Sequence, residues 1–304
     1  VQAAVTGGAG FIGSNLVDRL VARGDDATVV DNLSTGRREY VNAEATFVER
    51  DIREELDFGD AEVVFHLAAQ ADVPTSMERP EYDADVNVVG TVRVLEAARK
   101  AGAQVVFAST GGAIYGECDG PAPEDYELRP MSPYGVAKLC DEQYLAAWNR
   151  IHGAGHVALR FANVYGPRQD SSLEGGVVAI FLERMARGER TAIYGDGRQT
   201  RDFVYVGDVV EALLAAAGRN GGTYNVGTGR ETSVAELHEA CRRVAGSRAE
   251  PALEPARPGD VVHSVLDVSS AERELGWRAQ TSLDDGLRLT WEWTVAASRD
   301  PDAA

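Results

Sequence analysis

The segment Val5-Thr6-Gly7-Gly8-Ala9-Gly10-Phe11-Ile12-Gly13 follows a short apolar run, Ala3-Ala4-Val5, and opens a stretch with apolar residues at helical spacing, Phe11–Arg23. A strand that turns on glycines into a helix constrains a fold strongly, because such a turn needs backbone angles and close approaches that side chains forbid. Gly7 and Gly10 let the backbone turn and approach an anion at the helix N-terminus, while Gly13 lets the helix pack closely on the strand. The spacing alone fits any tight turn. Its place between a strand and a helix makes it a dinucleotide-binding pattern.

The rest of the first half repeats the alternation. Apolar runs at Ala27–Val30, Ala45–Val48, Val63–Leu67, Gln104–Ala108 and Val157–Phe161 are separated by helical spacing at Val86–Lys100 and Tyr134–Arg150. This predicts an α/β fold with a doubly wound parallel sheet. Beyond residue 164 the regularity breaks up, with a strand expected at Thr191–Tyr194 and helices at Val206–Ala217 and Ser233–Val244. Residues 1–163 are therefore expected to form a dinucleotide-binding Rossmann domain. Residues 164–304 are expected to form mainly a smaller α/β substrate lobe, with part of 200–220 packing back on the first domain. A polar tail, Ser298–Ala304, is expected to fray.

Asp31 ends the second run, in Val30-Asp31-Asn32-Leu33-Ser34-Thr35-Gly36. A carboxylate there accepts hydrogen bonds from an adenosine ribose and repels a 2′-phosphate, which favours NAD over NADP. Arg37 and Arg38 run against that preference. Asp51-Ile52, after the third run, is placed either beside the adenine or in solvent. The net charge of −18 disfavours nucleic acid, and no apolar run approaches membrane-spanning length. Three scattered cysteines suggest neither a disulfide framework nor a metal site. The N-terminus lacks a basic region ahead of its apolar run, so a cytoplasmic location is expected.

Only two lysines occur, Lys100 and Lys138. Lys138 stands four residues after Tyr134, so both project from one helix face. A phenol is a poor base at neutral pH unless its anion is stabilised, and a neighbouring ammonium offers that stabilisation. Lys138 can also hold a nicotinamide ribose.

Taken together, the glycine turn, Asp31, His66-Leu67-Ala68-Ala69, Asn87, Ser109-Thr110 followed by Ile114-Tyr115-Gly116, and the Tyr134/Lys138 pair resemble the extended short-chain dehydrogenase/reductases, specifically the NAD-dependent epimerase/dehydratase family. Within that family the chain looks like the UDP-glucose 4-epimerases. The resemblance implies NAD held by Gly7, Gly10, Phe11, Ile12, Gly13, Asp31, Asn32, Ser34, Thr35, Gly36, Asp51, Ile52, Leu67, Ala68, Ala69, Asn87, Ser109, Tyr134 and Lys138. It implies Tyr134 as base toward a sugar O4, with Thr110 relaying the proton and Ser109 as the alternative hydroxyl. Related dehydratases carry an acidic pair after the threonine and related decarboxylases a Glu; Gly111 and Gly112 offer neither, which leaves epimerisation through a 4-keto sugar.

For the UDP-sugar, the resemblance points to Asn163, Val177, Tyr194, Arg201, Arg257 and Asp260. Arginine suits a pyrophosphate because its donors form a rigid fork. The competing reading makes Arg201 a surface ion pair and Tyr194 a core residue. In the enzymes the chain resembles, a bulky aromatic near the place of Ser264 restricts the pocket to unmodified hexoses, so the resemblance implies that the small Ser264 leaves room for a 2-acetamido group. Homodimerisation through the helices at Val86–Lys100 and Tyr134–Arg150 is also expected from the resemblance.

Overall fold

The computed structural model describes residues 1–172, 176–256 and 261–299. The first half supplies β1 (Gln2–Thr6), β2 (Asp26–Asp31), β3 (Thr46–Glu49), β4 (Val63–His66), β5 (Gln104–Thr110) and β6 (Val157–Phe161). Then come β7 (Asn163–Tyr165), β8 (Ala192–Tyr194), β9 (Thr200–Arg201), β10 (Phe203–Tyr205), β11 (Gly222–Val226), β12 (Thr232–Ser233) and β13 (Ala252–Glu254). The helices are α1 (Phe11–Ala22), α2 (Val73–Glu78), α3 (Pro80–Ala84), α4 (Gly90–Ala101), α5 (Gly111–Ile114), α6 (Pro133–His152), α7 (Val177–Ala186), α8 (Val206–Ala216), α9 (Val234–Ala245) and α10 (Leu283–Arg299).

Seven strands form one parallel sheet in the order β11-β6-β5-β4-β1-β2-β3. Both of its faces are covered, and the strands are apolar at consecutive positions for that reason. Val29, Phe65 and Val106 pack on one side with Leu16, Leu20 and Leu213, while Val30, Val64, Val105 and Phe107 pack on the other with Leu95 and Leu145. Each Leu or Phe so enclosed contributes on the order of 2–3 kcal/mol. The chain leaves β1 for β2 on one side and later returns to β4 on the other. This reversal opens a crevice at the C-terminal ends of the strands, where doubly wound sheets take their ligands.

The second lobe has its own core, with Phe181, Leu182, Leu237, Cys241 and Leu287 drawn from α7, α9 and α10. Short two-stranded pairs, β10 with β7, β12 with β9 and β13 with β8, surround it. Two segments of the second half return to the first: β11 closes the sheet edge beside β6, and Leu213 of α8 packs into the core beside α1. The doubly wound parallel sheet with a smaller second lobe is thus the fold observed.

Local departures have physical causes. The helix expected over Val86–Lys100 opens as a π turn at Asp85–Val89, which follows α3 directly, and becomes regular only in α4. Such turns commonly mark functional positions, and this one carries Asn87. The tail expected from Ser298 begins inside α10, where the Ser298 hydroxyl donates to the Thr294 carbonyl at 2.8 Å. Residues 300–304 lie outside the described residues. No helix among the described residues is long and apolar enough to cross a membrane.

Candidate active site

The glycine turn closes on itself: Gly7 N–H donates to the Val30 carbonyl at 2.9 Å and Gly10 N–H to the Gly7 carbonyl at 3.1 Å. Gly7 adopts φ +73°, and a Cβ there would lie 2.6 Å from the Ala68 nitrogen. A Cβ at Gly13 would lie 2.1 Å from the Gly7 oxygen, so helix and turn fit only without a side chain. At Gly10 the same construction meets only the Gly7 oxygen, at 3.3 Å. That position faces open space, and Gly10, Phe11, Ile12 and Thr35 line a cavity of about 560 Å³ with Tyr40 and Arg168.

Asp31 is buried at the end of β2, where its two oxygens accept from the Ala9 N–H at 3.0 Å and the Leu33 N–H at 2.8 Å. These bonds hold the carboxylate at the rim of the glycine turn. Gly36 belongs to the same packing, since a Cβ there would lie 2.9 Å from Ala9. Asn32 donates to Asp51 at 2.8 Å and accepts from the Ser34 N–H at 3.0 Å. Arg53 grips Asp51 through Nε and Nη2 at 2.9 and 2.7 Å, and its side-chain bonds hold that carboxylate well below the usual range. Arg37 and Arg38 lie over the rings of Tyr40 and Phe47, at 5.5 and 4.5 Å from the centroids.

Not every residue named for the cofactor presents its side chain to the crevice. Ile52 is core, against Val30 and Leu95, and fills the space above Gly90. Asn87 is buried, donating to the Gln70 carbonyl and Asp83 and accepting from the Gln70 N–H. It clamps the segment that follows Leu67, Ala68 and Ala69, which is itself half-buried beside the turn.

Tyr134 and Lys138 lie in the first two turns of α6, whose start is fixed by Pro133 and by Ser132, whose hydroxyl accepts the Gly135 N–H at 3.1 Å. Lys138 is 3% exposed; its Nζ donates to the Ala108 carbonyl at 3.1 Å and stands 5.9 Å from the centre of the Tyr134 ring. Thr110 ends β5 and caps α5, its hydroxyl accepting the Ala113 N–H at 3.3 Å, and the same hydroxyl lies near enough to the Tyr134 phenol to favour its ionised form. Ser109 faces away and donates to Glu142 at 2.5 Å. Of the two neighbouring hydroxyls, Thr110 is therefore the one that meets the tyrosine.

One electrostatic expectation changes. Burial, then Asp83 and Asp141, push the Tyr134 phenol far above its ordinary value, and the Thr110 hydroxyl only partly opposes them. The Lys138 ammonium alone does not make this phenol acidic. Burial also lowers Lys138 against the pull of Asp141, Asp83 and Glu142. A further positive charge in the crevice is what a working phenolate here requires.

Beneath the pair lies a network the sequence reading did not identify. Arg160 holds Glu142 through Nε and Nη2 at 2.9 and 2.7 Å and donates to the Tyr115 hydroxyl at 2.7 Å, which donates to Asn225 at 2.8 Å. Burial opposes the Arg160 charge, but Glu142 more than restores it. The spacing of Glu142 four residues after Lys138 was the available signal.

In the second lobe, the Arg201 guanidinium donates to the carbonyls of Val261 and Thr200 at 2.7 and 2.8 Å. Tyr194 ends β8 and is 39% exposed, so it is not a core residue. Val177 begins α7 and packs against that lobe's core. Asn163 begins β7 and reaches toward Gly112, whose missing Cβ would have only the Asn163 Oδ1, at 3.9 Å, as a neighbour. A side chain at Gly112 would thus enter the crevice, whereas one at Gly111 would strike Leu266 at 2.7 Å. Ser264 is buried, and the two residues before it are tied to the first lobe, because Glu117 accepts both the Val262 and His263 N–H groups at 2.9 Å. Arg257 and Asp260 lie outside the described residues.

Comparison with known proteins agrees with this geometry. The NAD dependent epimerase/dehydratase family matches residues 3–227. The UDP-glucose 4-epimerase of Mycolicibacterium smegmatis is 46% identical over 303 residues, spanning 95% of this chain and 97% of that protein. The crystal structure of the Thermotoga maritima UDP-glucose 4-epimerase with UDP-glucose superposes with a TM-score of 0.95 at 47% identity, over 98% of this chain and 100% of that one. The Thermus thermophilus UDP-glucose 4-epimerase complex with NAD gives 0.90 at 42% identity, over 98% and 100%. The chain belongs to the NAD-dependent epimerase/dehydratase family and is an enzyme of the UDP-glucose 4-epimerase-like kind.

Proposed function

We propose that the protein inverts the 4-hydroxyl of a UDP-hexose, interconverting UDP-glucose and UDP-galactose through a 4-keto sugar, with NAD as resident cofactor. The observation that carries this reading is the pairing of Tyr134 with a buried Lys138 on one face of α6, with the Thr110 hydroxyl acting on the phenol. The residues present fit a dinucleotide. The open space at Gly10 accommodates a pyrophosphate, the N–H groups at the start of α1 face it, and Asp31 stands where a ribose is recognised.

NAD would supply a hydride acceptor at sugar C4 and the same hydride on return. The protein's own groups handle the proton. Tyr134 takes it from O4, Thr110 holds O4 and passes charge between the two oxygens, and Lys138 holds the nicotinamide ribose with the protons its ammonium does not give to Ala108. When bound, the cofactor would also bring the positive charge that the Tyr134 phenol needs. Tyr134 then holds the proton that must return to O4. Asn163, Tyr194, Arg201, Arg257 and Asp260 are assigned to the nucleotide and sugar, with Val177 flanking them.

The bare position at Gly112 argues against decarboxylation and dehydration, which need an acid there. Ser264 argues for a wider pocket, so turnover of UDP-N-acetylglucosamine and UDP-N-acetylgalactosamine is part of the proposal. Incubation with UDP-galactose without added cofactor, followed by NMR of the product, tests the reading. UDP-glucose is expected; inactivity there with activity on UDP-glucuronate would overturn it. Tyr134→Phe should abolish turnover yet retain NAD.

A further inference from the structure

Behind the reacting hydroxyls three ionisable side chains meet out of reach of water beside the half-buried Tyr134. Tyr134, Lys138 and Asp141 follow one another along one face of α6, and Asp83 approaches from α3, which packs against that helix. Lys138 is 3% exposed, Asp83 1% and Asp141 0%. The other groups around them are neutral or already paired. Glu142 is matched by Arg160. His66 on β4 is held uncharged by burial, between the hydroxyls of Thr6 and Thr91. The Thr91 hydroxyl faces Asp141, and burial keeps the adjoining Cys140 thiol protonated.

Charge counting then decides the state of the cluster. It contains one cation and two carboxyl groups, and a buried excess of negative charge is costly. One carboxyl must keep a proton. Burial raises the Asp83 carboxyl too, but one of its oxygens accepts from Gln70 Nε2 at 2.9 Å and Asn87 Nδ2 at 3.0 Å, which favours its ionised form over that of Asp141. Both Asp141 oxygens are buried without a hydrogen-bond partner. We propose that Asp141 works as a neutral carboxylic acid beside the Tyr134–Lys138 pair, keeping its proton so that the Lys138 charge remains available to the tyrosine. Asp141 is a positioning residue that acts through Lys138. The inference rests on the reading of Tyr134 and Lys138 as the reacting pair.

The consequence is an internal limit on the base. With Asp141 neutral, Lys138 is balanced only by Asp83 and still favours a phenolate. Once Asp141 ionises, a second negative charge stands beside Tyr134 and opposes the form that takes the sugar proton. Burial, the largest influence, pushes the Asp141 carboxyl up to about 8 against Lys138 and Thr91, which places that change just above neutrality.

Infrared spectroscopy of the intact protein tests this without reference to turnover. A protonated carboxyl has a carbonyl stretch that a carboxylate lacks. The difference spectrum between the unaltered protein and Asp141→Asn at neutral pH should contain that band, and the band should disappear as the pH is raised through about 8. In Asp83→Asn, Asp141 becomes the sole counter-ion of Lys138, so its band should vanish about one pH unit lower. The alkaline decline in kcat should move to higher pH in Asp141→Asn. Absence of the band at neutral pH, or a band that Asp83→Asn leaves in place, overturns the proposal. Should Asp141→Asn not fold, the band of the unaltered protein and its shift in Asp83→Asn decide the matter. An unaltered protein that has the band yet epimerises no UDP-sugar would overturn the functional reading instead.

Discussion

Arg160 and Glu142 meet as a two-pronged pair, Nη2 and Nε 2.7 and 2.9 Å from the carboxylate oxygens, with both side chains closed to water. The pair joins β6 to α6 directly below Lys138. Ser109 on β5 donates to the same carboxylate. Removing one partner leaves the other as an uncompensated buried charge. Glu142→Ala should therefore destabilise the protein by about 3–5 kcal/mol, read as a lower midpoint in denaturant unfolding. A loss below about 1 kcal/mol would mean that water reaches Arg160.

Gly10 and Gly13 separate a ligand requirement from a packing one. At Gly13 an added Cβ meets the Gly7 backbone at 2.1 Å, so Gly13→Ala forces helix and turn apart and should cost about 1–3 kcal/mol or more. At Gly10 the nearest atom is 3.3 Å away and φ is −85°, so Gly10→Ala should leave unfolding within about 1 kcal/mol of the original. It should nonetheless lower NAD retention at least tenfold, measured on cofactor released by acid from the purified protein. Equal NAD content in Gly10→Ala and the unaltered protein would remove the pyrophosphate from that space.

The contrast between those glycines explains what the sequence made legible. Gly7, Gly13 and Asp31 act through local geometry, a turn and a strand end, and their spacing carries the information. Tyr134 and Lys138 are one helical turn apart and equally readable. Tyr115 and Asn225 are 110 residues apart, and only the placing of β11 beside β6 brings them together. Asp83 and Asp141 likewise become a pair because α3 folds against α6. The π turn around Asn87 has no periodicity of its own, so its sequence fits an ordinary helix equally well. Helix α10 was missed although Leu283, Leu287 and Trp291 recur every four residues and Ser282 caps the start by accepting the Asp285 N–H at 3.1 Å.

The Thr110 hydroxyl acts on the Tyr134 phenol and accepts an N–H from the first turn of α5. Thr110→Val keeps the shape and removes both interactions. Loss of the cap should cost about 1 kcal/mol of stability, while loss of the hydroxyl at O4 should lower kcat by about 100-fold. Thr110→Ser should restore most of kcat, because the hydroxyl returns to the same backbone position. If Thr110→Val and Thr110→Ser are equally impaired, the methyl group rather than the hydroxyl is what the site uses.

Stability should be greatest near neutral pH. Burial holds the imidazoles of His66 and His156 down, to about 3 and about 4, from an ordinary 6.5. Between those limits the unfolded chain binds protons that the folded chain refuses. Their contribution is complete above 6.5 and is lost as the pH falls, by up to about 1.4 kcal/mol per unit for each proton. Asp141 acts in the opposite sense. Its folded value of about 8 lies above the ordinary 3.8, so its contribution is complete at low pH and is lost as the pH rises toward 8. From about pH 4 to 6.5 His238, also lowered by burial, acts with these two histidines, while the raised carboxyls of Asp83 and Asp202 act with Asp141; above 6.5 the histidines drop out and Asp141, with a folded value near 8, dominates. Unfolding free energies measured by denaturant across this range should peak between about pH 6 and 7 and fall by about 1 kcal/mol per unit on either side. Asp141→Asn should flatten the alkaline branch and spare the acid one. A stability that climbs steadily from pH 6.5 to 8 in the unaltered protein would show that Asp141 is ionised throughout, and with it the buried acid beside Tyr134 would have to be given up.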